Sequence, residues 1–194
     1  PTMTASIRIA RTPQRLYLLR IADACLILGQ RLGEWCGHAP ALEEDLALTN
    51  MALDLIGQAR ALLTHAGRGA APDGGDFDED QLAFLRDERD YRNPTLCELP
   101  NAEPARRGPG DFAFTVLRNL FMASWFELLW QRLQASSDAE LAAIAGKAVK
   151  EARYHRRHAA GWLLRLGDGS DESRRRLLAA LPRCWAQVPE LFAE

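Results

Sequence analysis

Apolar residues recur at intervals of three and four through four long stretches of this chain, and no run alternates with a period of two. The first spacing lines one face of an α-helix; the second is what a half-buried strand requires. Valine, a strand former, stands only at 116, 149 and 188. The pattern confines the chain to an all-α fold. With 194 residues, 47% of them hydrophobic, it can bury one good-sized core, about 70% of the surface its unfolded form would expose.

Punctuation divides the pattern. Leu16, Leu19, Leu28 and Leu32 sit on a first helix of about 13–34, with Gly37 suited to a left-handed stop. A second opens at Pro40 with Glu43, Glu44 and Asp45 in its first turn, where the helix dipole favours acid, and reaches about 66. Residues 67–75 form a Gly/Ala/Pro loop, and a short charged helix is expected over 78–90 before Asn93-Pro94 breaks it. Residues 99–110 hold three prolines and read as irregular. A helix rich in Phe, Trp and Leu follows over 111–135. Ser137-Asp138-Ala139-Glu140 is a capping box that starts the next, to about 166. Ser170 caps a last helix that should bend or stop near Pro182. Long helices joined by short turns imply an antiparallel bundle with additional short helices. Residues 13–194 are expected to form one domain, cut short at its C-terminus, and 1–12 to be disordered or vector-derived.

Several function classes are disfavoured. The formal charge of −2 draws the chain to neither nucleic acid nor membrane. No uninterrupted apolar run approaches the ~20 residues of a membrane span. Cys25, Cys36, Cys97 and Cys184 lie far apart and read as reduced, mostly buried thiols of a cytoplasmic protein. The loop at 67–75 lacks the spacing of a phosphate cradle. No nucleophile stands in a recognisable elbow.

Helical bundles often build metal sites from inward carboxylates, so carboxylates on apolar faces are the candidates. Asp23 is the only charge between Arg20 and Arg31, and shares a face with Gln30 and Glu34. Asn50, Asp54 and Gln58 share a face of the second helix. Glu127 sits among Trp125, Phe126, Leu128 and Leu129; Glu151 has His155 one turn on, with His158 beyond. A carboxylate-bridged di-iron site needs Glu-x-x-His on two helices and a further Glu from each of two others. The chain contains no Glu-x-x-His: Tyr154 follows Glu151 by three, and Gly57 follows Asp54. Asp23, Asp54, Glu127, Glu151 and His155 are therefore vestigial-site candidates or members of an interior polar network. No residue is assigned as catalytic, cofactor-binding or metal-binding. Two basic stretches, Lys147–Arg157 and Arg174–Arg176, read as solvated faces or as contacts to an anion.

Leu28–Pro40, Asp45 through Asp54-Leu55-Ile56-Gly57-Gln58-Ala59-Arg60, Leu82–Arg89 and Lys150–His155 resemble the C subunits of bacterial phenylacetyl-CoA epoxidases, multicomponent monooxygenases of phenylacetate degradation. The resemblance covers about 15–192. It implies a ferritin-like fold and a structural, non-catalytic subunit without a working di-iron centre. It also implies tight pairing with a catalytic A subunit that holds the di-iron site, in a heterodimer or larger hetero-oligomer. A small B subunit and, transiently, a flavin/iron–sulfur reductase complete the set. The complex is expected to epoxidise the ring of phenylacetyl-CoA. Two departures stand out: Ala123 replaces a frequent Asp, and relatives extend several tens of residues beyond Phe192. An autonomous metal-dependent oxidase and an acyl-CoA-binding module are the alternatives.

Overall fold

A computed structural model describes residues 6–101 and 110–193, and among them every regular element is helical. Helix α1 spans Pro13–Gly33, α2 Leu42–Gly67, α3 Glu79–Phe84, α4 Thr95–Glu98, α5 Phe112–Leu133, α6 Ala139–Asp168 and α7 Asp171–Trp185. Single 3-10 turns cover Glu88–Asp90 and Val188–Phe192.

The starts are set by local chemistry. Thr12 accepts from the Arg15 amide ahead of Pro13. Asp111 accepts from the amides of Ala113 and Phe114, and Ser170 from that of Ser173 at 3.1 Å. These side chains satisfy donors that a helix N-terminus leaves open. Helix α2 begins two residues after Pro40 with no side-chain cap; Glu43, Glu44 and Asp45 offset its dipole.

The long helices pair as two hairpins, α1 with α2 and α5 with α6, and α2 packs against α6. Their directions follow from contacts at the ends. Arg15, near the start of α1, reaches the carbonyls of Ala66, Arg68 and Gly69 at the end of α2. His65 meets Asp138 at the start of α6. Trp35, after α1, donates from Nε1 to Thr115 Oγ1 of α5 at 3.1 Å. The order is thus up, down, long crossover, down, up. This single crossover between the second and third bundle helices is the ferritin-like arrangement. Gly29 lets α1 and α2 close up: a Cβ there would lie 3.2 Å from the Ala52 carbonyl oxygen.

Two details differ from expectation, the extent of the 78–90 helix and the cap of α6. The charged stretch 78–90 is no continuous helix: α3 stops at Phe84 because the chain turns Arg86 inward to a buried carboxylate. The cap of α6 is Asp138, not Ser137. Helix α7 stops near Pro182 as expected, one turn beyond it at Trp185; the carbonyl that loses its partner belongs to Leu178, an exposed residue that water can serve. Residues 6–12 carry no regular structure and are held by Ile7 N–H to the Leu85 carbonyl and Ala10 N–H to that of Ala70; the expectation for 1–5 lies outside the described residues. So does the irregular reading for 102–109.

Helix α5, 22 residues long, is also apolar enough by length and composition to cross a membrane. The sequence reading missed it because Arg118 and Glu127 interrupt the run. Its apolar surface is used inside the bundle, where Phe114, Met122, Phe126 and Trp130 are buried. Helix α7 folds back over α5 and α6, and the turn after it buries Leu191 while Arg20 holds the Glu190 and Ala193 carbonyls.

Candidate functional site

The five candidate residues do not converge. They fall into three groups, and in each the carboxylate is engaged by a side chain of this same chain.

Three of them line the seam between α2 and α6. His155 Nε2 lies 3.0 Å from Asp54 Oδ2, and Gln58 Nε2 donates to Glu151 Oε2 at 2.8 Å. The Gln58 amide oxygen in turn accepts weakly from the Cys25 thiol at 3.6 Å. His158 meets Glu44 Oε2 at 2.9 Å on the same seam. The shared face read for Asp54 and Gln58 is therefore a polar network that joins two helices; Asn50, read with them, faces solvent. Burial lowers the pKa of His155 below the ordinary histidine value, against the pull of Asp54 and Glu151. A neutral imidazole can still donate from Nε2 to the Asp54 carboxylate.

Asp23 is fully buried on α1. Arg86 grips it with both terminal nitrogens, at 3.0 and 2.5 Å, and the Arg92 amide adds a third bond at 2.9 Å. Burial raises the carboxyl pKa, and those three donors oppose the rise. Arg86 also lies over the Tyr91 ring at 4.4 Å and donates to the Leu82 carbonyl. Sequence reasoning found Asp23 but not its partner, because Arg86 belongs to a charged stretch that looked solvated. Gln30 and Glu34, read on the same face, remain outside: Gln30 is exposed and Glu34 pairs with Arg31.

Glu127 turns to the other side of α6. Arg156 Nε lies 2.5 Å from one oxygen and Arg153 Nε 3.1 Å from the other. These guanidinium groups, Arg156 first, outweigh burial and hold the carboxyl below its usual range. Two cations of the Lys147–Arg157 stretch are thereby engaged within the fold. The second stretch is engaged as well: Arg175 and Arg176 pair with Glu172, and Arg174 donates to the Gly167 carbonyl.

A di-iron centre does not fit this set. Such a centre needs carboxylates and imidazoles from four helices directed at one point. Here Asp23 and Glu127 face arginines, and Ala123, buried on α5, offers no oxygen. Among the described residues no group of three or more His, Cys, Asp or Glu side chains is placed to hold a metal ion.

Like Arg86, a second buried arginine escaped the sequence reading. Arg118, fully buried on α5, donates to the Leu99 carbonyl at 2.7 Å and to Asn101 Oδ1 at 2.6 Å. Desolvation pulls its pKa down to about 10. It is the only charge between Asp111 and Glu127, the same signal that flagged Asp23. Cys97 and Cys184 are buried near it, with burial pushing their thiols up to about 12 and about 11, so neither is a ready nucleophile. Cys36 is exposed, unlike the other three. Trp35 and Trp162 are joined through Phe112, edge to face on both sides.

Fold and site together define a class: a ferritin-like bundle whose interior carboxylates serve as helix-to-helix and helix-to-crossover contacts. Within that class the chain belongs to the family described as phenylacetic acid catabolic protein, which it matches over residues 3–194. It is 51% identical over 176 residues to the C subunit of 1,2-phenylacetyl-CoA epoxidase from Escherichia coli (strain K12), an alignment covering 91% of this chain. That alignment covers 66% of the relative, so the chain spans just under two thirds of the length of the protein it matches.

Proposed function

We propose that this chain acts as a non-catalytic structural subunit of a phenylacetyl-CoA epoxidase in the aerobic degradation of phenylacetate. It pairs tightly with the di-iron catalytic subunit and steadies it, in the cytoplasm, within an assembly that also takes a small B subunit and, transiently, a reductase. One observation carries the reading. Each interior carboxylate at a candidate ligand position is held by a protein side chain: Asp23 by Arg86, Glu127 by Arg153 and Arg156, Asp54 by His155 and Glu151 by Gln58. A carboxylate so engaged must break those contacts before it can bind iron. The chain itself then carries no metal or other cofactor, and the chemistry belongs to its partner. The likeness to the C subunit of an epoxidase supports the same reading.

Neither alternative draws comparable support. An autonomous oxidase would need Asp23, Asp54, Glu127, Glu151 and His155 on one centre. An acyl-CoA module would need free cations to meet phosphates, and the arginines of both basic stretches named above are largely paired. Co-expression with the catalytic subunit tests the proposal. A stable complex that survives size-exclusion chromatography at micromolar concentration is expected; two proteins that elute separately would overturn it.

A further inference from the structure

The outer side of the α2/α6 seam differs from a solvated helix face. Leu42, Leu46 and Leu53 of α2 are 74, 59 and 60% exposed. The Asp54–His155 contact sets Leu53 across the seam from Tyr154, itself 45% exposed. Scattered apolar residues are ordinary at a surface; a row of three leucines along one helix beside a tyrosine of its neighbour is a patch.

The glycines add an independent sign. Gly57 and Gly161 stand in the interiors of α2 and α6, where glycine is less favourable than alanine. A Cβ at either would meet nothing within 4 Å among the described residues. Gly29 has an internal reason, the close approach of α1 and α2; these two have none. Glycines on an outer helix surface let a backbone from outside come close. The Gln58–Glu151 bond places Gly57 beside Lys150. Lys150 and Arg157 are exposed, and among the described residues neither takes part in an ion pair of the kind that engages Arg153 and Arg156.

We infer that this face, from Leu42 to Gly57 on α2 and from Lys150 to Gly161 on α6, is the docking surface for a helix of the catalytic subunit that is apolar where it meets the leucines and carries carboxylates opposite Lys150 and Arg157. The inference rests on the pairing proposed above. The geometry favours a helix as occupant: the outer rows Leu46, Asn50, Leu53, Gly57 and Lys150, Tyr154, Arg157, Gly161 advance in steps of four and three, so two parallel ridges flank a groove that one helix fills. Lys150, level with Gly57, and Arg157, level with the Glu44 end of α2, select an acidic occupant and resist a second copy, whose same cations would face them.

Affinity of purified variants for the purified catalytic subunit tests it, with each variant first checked for helical content and melting temperature. L46E/L53E is expected to bind at least about ten-fold more weakly, as loss of central interface anchors does. Leu128→Glu, at a residue 57% exposed on α5, is expected to bind as the wild type does. If L46E/L53E loses helical content, K150E/R157E decides: it should bind more weakly and with a smaller dependence on salt. Unchanged affinity in well-folded L46E/L53E or in K150E/R157E, with the wild-type complex intact, overturns this surface and leaves the pairing standing. So does a wild-type chain that dimerises alone through these leucines yet binds the catalytic subunit undiminished by L46E/L53E. No complex with the wild-type chain at all overturns the pairing and this inference together.

Discussion

The Asp23–Arg86 pair shows at one position how a carboxylate on a ligand-bearing face can be put to another use. Both side chains are completely shielded from water. Breaking such a pair leaves a buried charge without compensation, which typically costs about 3–5 kcal/mol. Arg86→Ala should therefore lower unfolding stability by that order in urea denaturation. D23L/R86M, which removes both charges and keeps the volume, should recover most of the loss. His155 gives a second test. Its folded pKa lies below the ordinary value, so the unfolded chain takes up a proton first as pH falls. Its contribution is whole above about pH 6.5 and declines as pH drops from there toward the folded pKa. An NMR titration should place its midpoint below that of an exposed histidine, and His155→Gln should flatten the stability profile between pH 7 and 5. The candidate carboxylates were legible because each stood alone in an apolar context. Their partners were not: nothing in the spacing of Arg86, Arg153 or Arg156 tells whether a basic residue meets solvent or a carboxylate from a distant segment.

Helix existence was legible where the apolar period ran long, and helix ends less so. Asp138 shows why. Ser137 and Asp138 both suit a cap, and the choice falls to the residue that also meets His65 and Gln14 across the bundle. Those contacts, His65 foremost, hold the Asp138 carboxyl down at about 2. Its stabilising effect is present above the unfolded carboxylate value and is lost as pH falls from about 4 toward 2. Asp138→Ala should cost about 1 kcal/mol through the cap alone, while Ser137→Ala should change stability little; thermal melts at pH 7 compare them. The 78–90 stretch failed as a helix because a tertiary contact, Arg86 to Asp23, outweighed local propensity. Pro182 was tolerated because only one turn follows it.

At the scale of the molecule, the four-helix core and its crossover follow from two short connections and one long one, and these were visible in the sequence as turn signals. The separation of the five candidate residues was not, since periodicity gives the face of a helix but not what that face meets. If the structural role proposed above holds, the interior carboxylates hold the bundle together and leave iron to a partner. Elemental analysis of this chain and of its complex with the catalytic subunit, both loaded with ferrous iron without oxygen and weighed by native mass spectrometry, tests it most directly. A negligible amount of iron is expected on this chain alone, and in the complex only the iron of the catalytic subunit. Two irons bound to this chain by itself would contradict it.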